Sequence, residues 1–270
     1  MNALEQGYTV KDGTIIHPKR PFAACKPETE GRHFCISIAG HKIGIDSIFG
    51  EVYSICKDYL SEDNPDIMIS ISKDDIEAEK DRNKNCTTFA KDSYLETMAV
   101  YRKICEALLT YDIFLMHGAV VAYQEYAYMF TAESGTGKTT HIKKWLKNLN
   151  DAYVVNGDKP LIRMTETKAV ACGTPWCGKE QMGTNTMVPL KAIVIMERGE
   201  DNTIEEISLG KAFPFLLYQT YQPNGADEIK KTLRLIARLN GKVRFYRFVF
   251  NNLKEDSFDV AYHALAGEKP

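Results

Sequence analysis

An α/β fold around a sheet covered on both faces is the architecture predicted for this 270-residue chain. Three observations predict it. Short apolar runs rich in β-branched and aromatic residues recur along the chain. They alternate with segments of helical spacing. One of these runs leads through a glycine-rich loop directly into a helix, at "YAYMFTAESGTGKTTH".

The elements follow in order. Residues 1–30 carry Pro18, Pro21 and Pro27 and read as irregular. "HFCISIAGHKIGID" alternates like two short strands about a glycine turn. "FGEVYSICKDYL" has helical spacing, and "DIMISIS" reads as a strand. The stretch from Lys73 to Lys91 is charged and polar, which predicts an exposed segment and places a domain boundary there. The expected division is therefore a small α/β module over 1–91 and a second domain over 92–270. Ser93 and Glu96 match a capping box, and Leu95, Met98, Tyr101, Cys105 and Leu108 then repeat on one helical face. "IFLMHGAVVAY" and "YAYMFTA" read as paired buried strands. A helix starts near Lys138. "AYVVNGD", "AVAC", "KAIVIMER" and "KVRFYRFVF" read as strands. Helices are expected over 209–218, 226–239 and 257–265, with Gly241 as a C-cap.

Bulk composition excludes several function classes. Hydrophobic residues make up 44% and charged residues 26%, as in ordinary globular chains. A net charge of -2 provides no broad attraction to nucleic acid or anionic membrane, and no basic stripe with interleaved aromatics is present. No apolar run reaches the length needed to cross a bilayer. The amino terminus lacks the apolar stretch of a signal peptide. The seven cysteines are irregularly spaced and odd in number, which fits a reducing cytoplasm better than a disulfide framework. Cys172 and Cys177 lack the second ligand pair of a zinc site.

The loop at 133–140 carries the chemistry. Gly135 and Gly137 let successive backbone N–H groups turn inward around phosphate oxygens, and the following helix N-terminus adds partial positive charge. Glu133, Ser134, Gly135, Thr136, Gly137, Lys138, Thr139 and Thr140 are thus the predicted nucleotide-binding residues. Lys138 reaches the outer phosphates, and the Thr139 hydroxyl is placed to ligate Mg²⁺. The pattern departs from its usual form at Ala132, where glycine normally opens the loop. Alanine fits there if its φ stays negative.

From His117 ("HGAVV") through the loop, the chain resembles the catalytic domain of HPr kinase/phosphorylases and the related ATP-dependent phosphoenolpyruvate carboxykinases. The resemblance is specific over about 117–200. It implies a P-loop core with a mixed sheet, preceded by the small module. It also implies ATP and Mg²⁺ as cofactors, transfer of phosphate to a hydroxyl, and a phosphate-proximal place for His117. HPr kinases carry a pair of aspartates at a strand end, where this chain has Asn156-Gly157-Asp158. Gly157 then stands where a second carboxylate would, and either Asp158 alone both orients or deprotonates the attacking hydroxyl and helps hold the metal, or a carboxylate from elsewhere completes the site. A glutamate further on ligates Mg²⁺ in that family, and Glu180 is the nearest counterpart. Homo-oligomers are common in the family.

Other residues read two ways. The loop "CGTPWCGKEQMGTNTMVP" is long enough to be a substrate-binding loop, with Trp176 and Lys179 as candidates, or a surface loop with its tryptophan in the core. Glu197, at the end of "AIVIME", is either a holder of metal-bound water or a solvated strand end paired with Arg198. His141, Lys143, Lys144 and Lys147 are expected on a solvated helix face. Cys177 is reactive only if exposed. The function expected is an ATP-dependent kinase acting on a protein serine or a small-molecule hydroxyl. The alternatives are a carboxykinase-type enzyme and a nucleotide-binding sensor without turnover.

Overall fold

The computed structural model describes residues 31–84, 90–251, 253–254 and 256–267, together with the backbone of 9–11 and 14–16. Most of the proline-bearing stretch over 1–30 lies outside the described residues. So does part of the charged segment, 85–89. The backbone of β1 (Thr9–Lys11) and β2 (Thr14–Ile16) pairs antiparallel. The chain divides into two compact units, 19–111 and 112–270, the latter grouped with residues 1–18.

The smaller unit holds a four-stranded mixed sheet, in the order β5 (Leu60–Ser61), β3 (His33–Ile38), β4 (His41–Asp46), β6 (Ile67–Ser70). Strands β3 and β4 form a tight hairpin through Ala39 and Gly40, both with positive φ, as a two-residue connection between twisted strands requires. Helices α1 (Glu51–Ile55) and α2 (Lys73–Asn83) pack on α3 (Asp92–Leu109), which also meets β6. That packing draws α3 into this unit. The division therefore falls after Tyr111 and not at the expected 91/92 boundary.

Two local expectations are corrected here. The charged stretch from Lys73 is largely helix α2, started by a capping box between Ser72 and Asp75. Its fully buried Glu79 takes bidentate hydrogen bonds from Arg102, so a polar sequence hides a packed contact. Ser93 does not cap α3, which begins one residue earlier after Lys91. Glu96 instead turns inward and accepts the backbone N–H groups of Ile48 and Phe49 at the entry to α1.

The larger unit is built on a nine-stranded sheet among the described residues. One run is β10 (Tyr153–Asn156), β8 (Ala119–Tyr123), β9 (Tyr126–Thr131), β13 (Met187–Arg198), β15 (Arg244–Phe250), β14 (Thr203–Ile207). Strands β9, β13 and β15 are mutually parallel, and the outer pairings are antiparallel. The start of β13 also pairs with β12 (Ala169–Cys172), which continues to β11 (Leu161–Met164) and β7 (Ile113–Leu115). The run read as one strand, "IFLMHGAVVAY", is thus two strands with different partners, broken at His117-Gly118. Strands β11 and β14 were not foreseen: β11 is short, and β14 is a mostly exposed edge.

Helix α4 (Lys138–Asn148) and helix α7 (Ser257–Leu265) cover one face of this sheet. Alternate residues of β9 are buried on both faces: Tyr128 and Phe130 on the α4 side, Ala127 and Met129 on the other. Helices α5 (Leu209–Gln219) and α6 (Ala226–Ala237) pack together, and α5 meets β15. Trp145 of α4 is the hub, with its ring 5.2 Å from Tyr128, 5.8 Å from Phe130 and 5.8 Å from Phe258. No helix among the described residues is long and apolar enough to cross a membrane. Trp145→Ala removes the side chain that fixes α4 to the sheet. It should lower stability by about 3–5 kcal/mol in urea unfolding; a loss below about 1 kcal/mol would contradict this packing.

Candidate active site

Strand register gathers the predicted residues. Strand β8 lies between β9 and β10 and runs antiparallel to both. Ala119 pairs with Phe130, and Val120 with Asn156, so the start of β8 sits beside the ends of its two neighbours. His117, the loop after Thr131 and the turn at Asp158 therefore share one sheet edge. Strands β13 and β15 run with β9, so Arg198 and Phe250 end at that edge too. Ligands of open α/β sheets bind at the carboxyl ends of such strands.

The glycine-rich loop leaves β9 and enters α4. Ala132 is fully buried. The described non-glycine residues with positive φ are Ala39, Asp112, Gln124 and Gln181, so Ala132 meets the steric condition set for it. Gly135 has φ +79°, and a Cβ there would meet nothing within 4 Å, so that side of the loop is open. Gly137 has φ +121°, and a Cβ there would lie 2.9 Å from the Phe250 ring. Glycine is thus required at 137 by both conformation and space. Glu133, Ser134 and Thr140 are exposed, while Thr136 and Thr139 are half-buried.

Lys138 is buried and folds back on the loop, where its Nζ donates to the Ala132 carbonyl at 2.9 Å and the Glu133 carbonyl at 3.4 Å. Burial lowers its pKa, Asp158 opposes that, and Lys159 adds to it. Arg198 donates to the Gly135 and Thr136 carbonyls, bracing the outside of the loop. Its neighbour Glu197 bonds Arg247 of β15 at 2.7 Å, not Arg198. Adjacent strand residues face opposite ways, so the two side chains cannot share a partner.

At the neighbouring tip, Asn156 is fully buried and fully used. Its Nδ2 donates to the Thr174 hydroxyl at 2.9 Å and the Thr174 carbonyl at 3.2 Å. Its Oδ1 accepts the N–H groups of Asp158 at 2.8 Å and Lys159 at 2.7 Å, an Asx turn that sets the backbone of both. Gly118 N–H donates to the Asp158 carbonyl at 2.9 Å, tying the turn to β8. The Asp158 carboxylate meets the Lys159 ammonium on one side and His117 Nδ1, at 3.7 Å, on the other. His117 has a pKa below its ordinary value, chiefly through burial; Asp158 raises it, and Lys138 and Lys159 lower it. Lys138, His117, Asp158 and Lys159 are thus within electrostatic reach of one another.

Gly157 has a steric reason. A Cβ there would stand 2.9 Å from the Cys177 carbonyl and 3.1 Å from the Met182 carbonyl. The long loop closes this gap, since Gly157 N–H bonds the Met182 carbonyl and Thr184 N–H bonds the Val155 carbonyl. The loop covers the outer edge of β10. Trp176 is buried within it, and Lys179 is exposed at its tip. Gly178, with φ +81°, packs against Asp158, where a Cβ would lie 2.8 Å from that of the aspartate. Glu180 is half exposed and pairs with Lys143 of α4 at 3.0 Å. Cys177 is half-buried, and its thiol donates to the Pro175 carbonyl at 3.6 Å.

Among the described residues no group of three or more His, Cys, Asp or Glu side chains could hold a metal ion. Magnesium bound with a nucleotide needs only one or two protein groups, the phosphates and water supplying the rest. The Thr139 hydroxyl and the Asp158 carboxylate are donors of the type such an ion takes; Asp158 carries Lys159 and Glu180 carries Lys143. Sequence reading missed Lys159 and Arg198 as site residues. Their signal was position, since Arg198 ends a strand and Lys159 follows one at the same sheet edge.

His141 is a correction. It lies not on a solvated face but in the core, 1% exposed, three residues beyond Lys138. Its Nε2 accepts the Trp145 indole N–H at 3.1 Å, and its ring touches Phe130 and Phe248. Burial, aided by Lys144, pushes its pKa down to about 3 from 6.5. The unfolded chain then takes the proton first. Stability is intact above the unfolded value and is lost as pH falls from there toward the folded one. Between pH 7 and pH 5 the loss from this residue should be about 2 kcal/mol. Urea unfolding at both values checks it: His141→Gln should show a flatter pH dependence than the parent, and equal slopes would contradict it. Gly157→Asp, which puts a side chain into the gap closed by the long loop, should lower stability by about 1–3 kcal/mol in the same assay. An unchanged midpoint would show that the long loop yields readily.

No family model matches the chain, and no curated protein matches it. Among solved structures it is similar to the HPr(Ser) kinase/phosphatase from Coxiella burnetii, with a TM-score of 0.35 and 9% identity over 56% of this chain and 95% of that one.

Proposed function

We propose that the chain is an ATP-dependent phosphotransferase that moves the terminal phosphate of ATP to a hydroxyl, of a protein serine or of a small molecule. The observation that carries this reading is the convergence of two strand tips: a glycine-rich loop with a buried lysine, and Asp158 within that lysine's electrostatic reach. The loop motif and its HPr kinase-like spacing from His117 point the same way.

The roles follow from position. Lys138 leaves the Ala132 and Glu133 carbonyls to bind phosphate oxygens, which are stronger acceptors because they are charged. The acceptor hydroxyl sits at Asp158. Its oxygen forms the new bond to phosphorus as the bond to the ADP oxygen breaks, and its proton passes to the Asp158 carboxylate. His117 stands beside that carboxylate as a largely neutral imidazole and completes the polar wall. Bound magnesium, held by Thr139 and Asp158, supplies charge neutralisation at the phosphates. Lys179, exposed next to Gly178, faces solvent where an acceptor approaches.

A second reading has one specific support. With Gly157 sealed against a side chain, the site holds a single carboxylate at that tip, and the chain could bind ATP as a sensor without turnover. Labelled ATP incubated with the protein and a cell extract separates the two. Transfer to a protein or metabolite should be seen. Asp158→Asn should cut it by about 10²–10⁴-fold, and Lys138→Ala by about 10²–10³-fold. Tight binding of Mg-ATP with neither hydrolysis nor transfer would select the sensor, and no binding at all would end both readings.

A further inference from the structure

Resting on the phosphotransferase reading, we propose that Lys159 is a second phosphate-binding cation, one that rests on Asp158 and moves onto the terminal phosphate when ATP binds. Three observations carry this. First, the Lys159 backbone cannot shift. Its N–H is held by Asn156 Oδ1 at 2.7 Å, and its carbonyl accepts the Thr174 hydroxyl at 2.9 Å. Asn156 and Thr174 are themselves fully buried and bonded to each other. From that held backbone the side chain reaches out over four methylenes.

Second, the ammonium lies on the carboxylate that the reaction needs. Lys159 Nζ donates to Asp158 Oδ2. In that arrangement one oxygen of the acid at this tip is covered and cannot fully serve metal or hydroxyl. Something must draw the lysine away, and an incoming triphosphate is the stronger anion. Lys138 rests in the same manner, on the internal carbonyls of Ala132 and Glu133. Both ammonium groups are thus parked on acceptors that a nucleotide would outcompete.

Third, Gly157 removes the alternative. A Cβ at 157 would strike the Cys177 and Met182 carbonyls, so position 157 has no room for a second carboxylate to hold a metal at this tip. A transition state that spreads negative charge over the terminal phosphoryl oxygens needs a cation there. Lys159 is the cation that shares a fixed turn with Asp158. Because it starts on the acid that faces the acceptor, it meets the terminal phosphate and not the inner ones.

Calorimetry with magnesium and either ADP or a non-hydrolysable ATP analogue tests this without turnover. Lys159→Met, similar in shape but neutral, should weaken binding of the ATP analogue at least tenfold while changing ADP binding less than twofold. Lys159→Arg, which keeps the charge, should recover most of the lost affinity. Thermal unfolding of both variants reports whether the turn is intact. Equal effects on both nucleotides, or no effect on either, overturn the role of Lys159 while leaving the phosphotransferase reading in place. Failure of the parent protein to bind either nucleotide overturns that reading and this role with it.

Discussion

The pairing of β8 between β9 and β10 is the constraint on which the site depends. Both neighbours run antiparallel to β8, so their carboxyl ends must lie beside its start. Backbone ladders fix this to within a residue, because a slip of one would exchange the side chains packed on the two buried faces of these strands. Val120, Val121, Met129, Phe130, Val154 and Val155 are all fully buried, which makes such a slip costly. The glycine-rich loop, His117 and Asp158 come from segments more than ten residues apart and meet because the register of these apolar strands brings them to one edge.

Around that edge the backbone is fixed and the charged side chains are not. Asn156 and Thr174 hold the turn at Asp158 and Lys159 through buried hydrogen bonds on both the N–H and carbonyl sides. Arg198 braces the outside of the glycine-rich loop, and Phe250 fills the space beside Gly137. Lys138 and Lys159, by contrast, bond carbonyls and a carboxylate of their own chain. A site made this way is preorganised in its frame, with its two ammonium groups resting on acceptors of the same chain. That division is the physical basis for reading it as a phosphate site.

Much of the larger unit was legible in the sequence. The alternation of "YAYMFT" and the glycine spacing after it located β9, the loop and the start of α4, because period and turn chemistry are local properties. The strand tip at Asp158 was legible for the same reason. What failed were features decided by distant packing. His141 carries a polar label yet lies among Phe130, Trp145 and Phe248. Glu96 matched a capping pattern, but its carboxylate serves amides some fifty positions earlier in the chain. The α2 helix hid in a charged stretch because its one buried acid, Glu79, is matched by Arg102 beyond the apparent boundary. Lys159 and Arg198 stand next to Asp158 and Glu197 in the sequence, but only the sheet order places them at the loop.

The central claim is that the loop and Asp158 face one phosphate chain. A crystal structure with magnesium and a non-hydrolysable ATP analogue measures it most directly. The expected result is a triphosphate against the 133–139 backbone, Lys138 released from the Ala132 carbonyl, and the Asp158 carboxylate directed at the terminal phosphate. A loop that holds no nucleotide, or an Asp158 turned away from the phosphates it does hold, would contradict it.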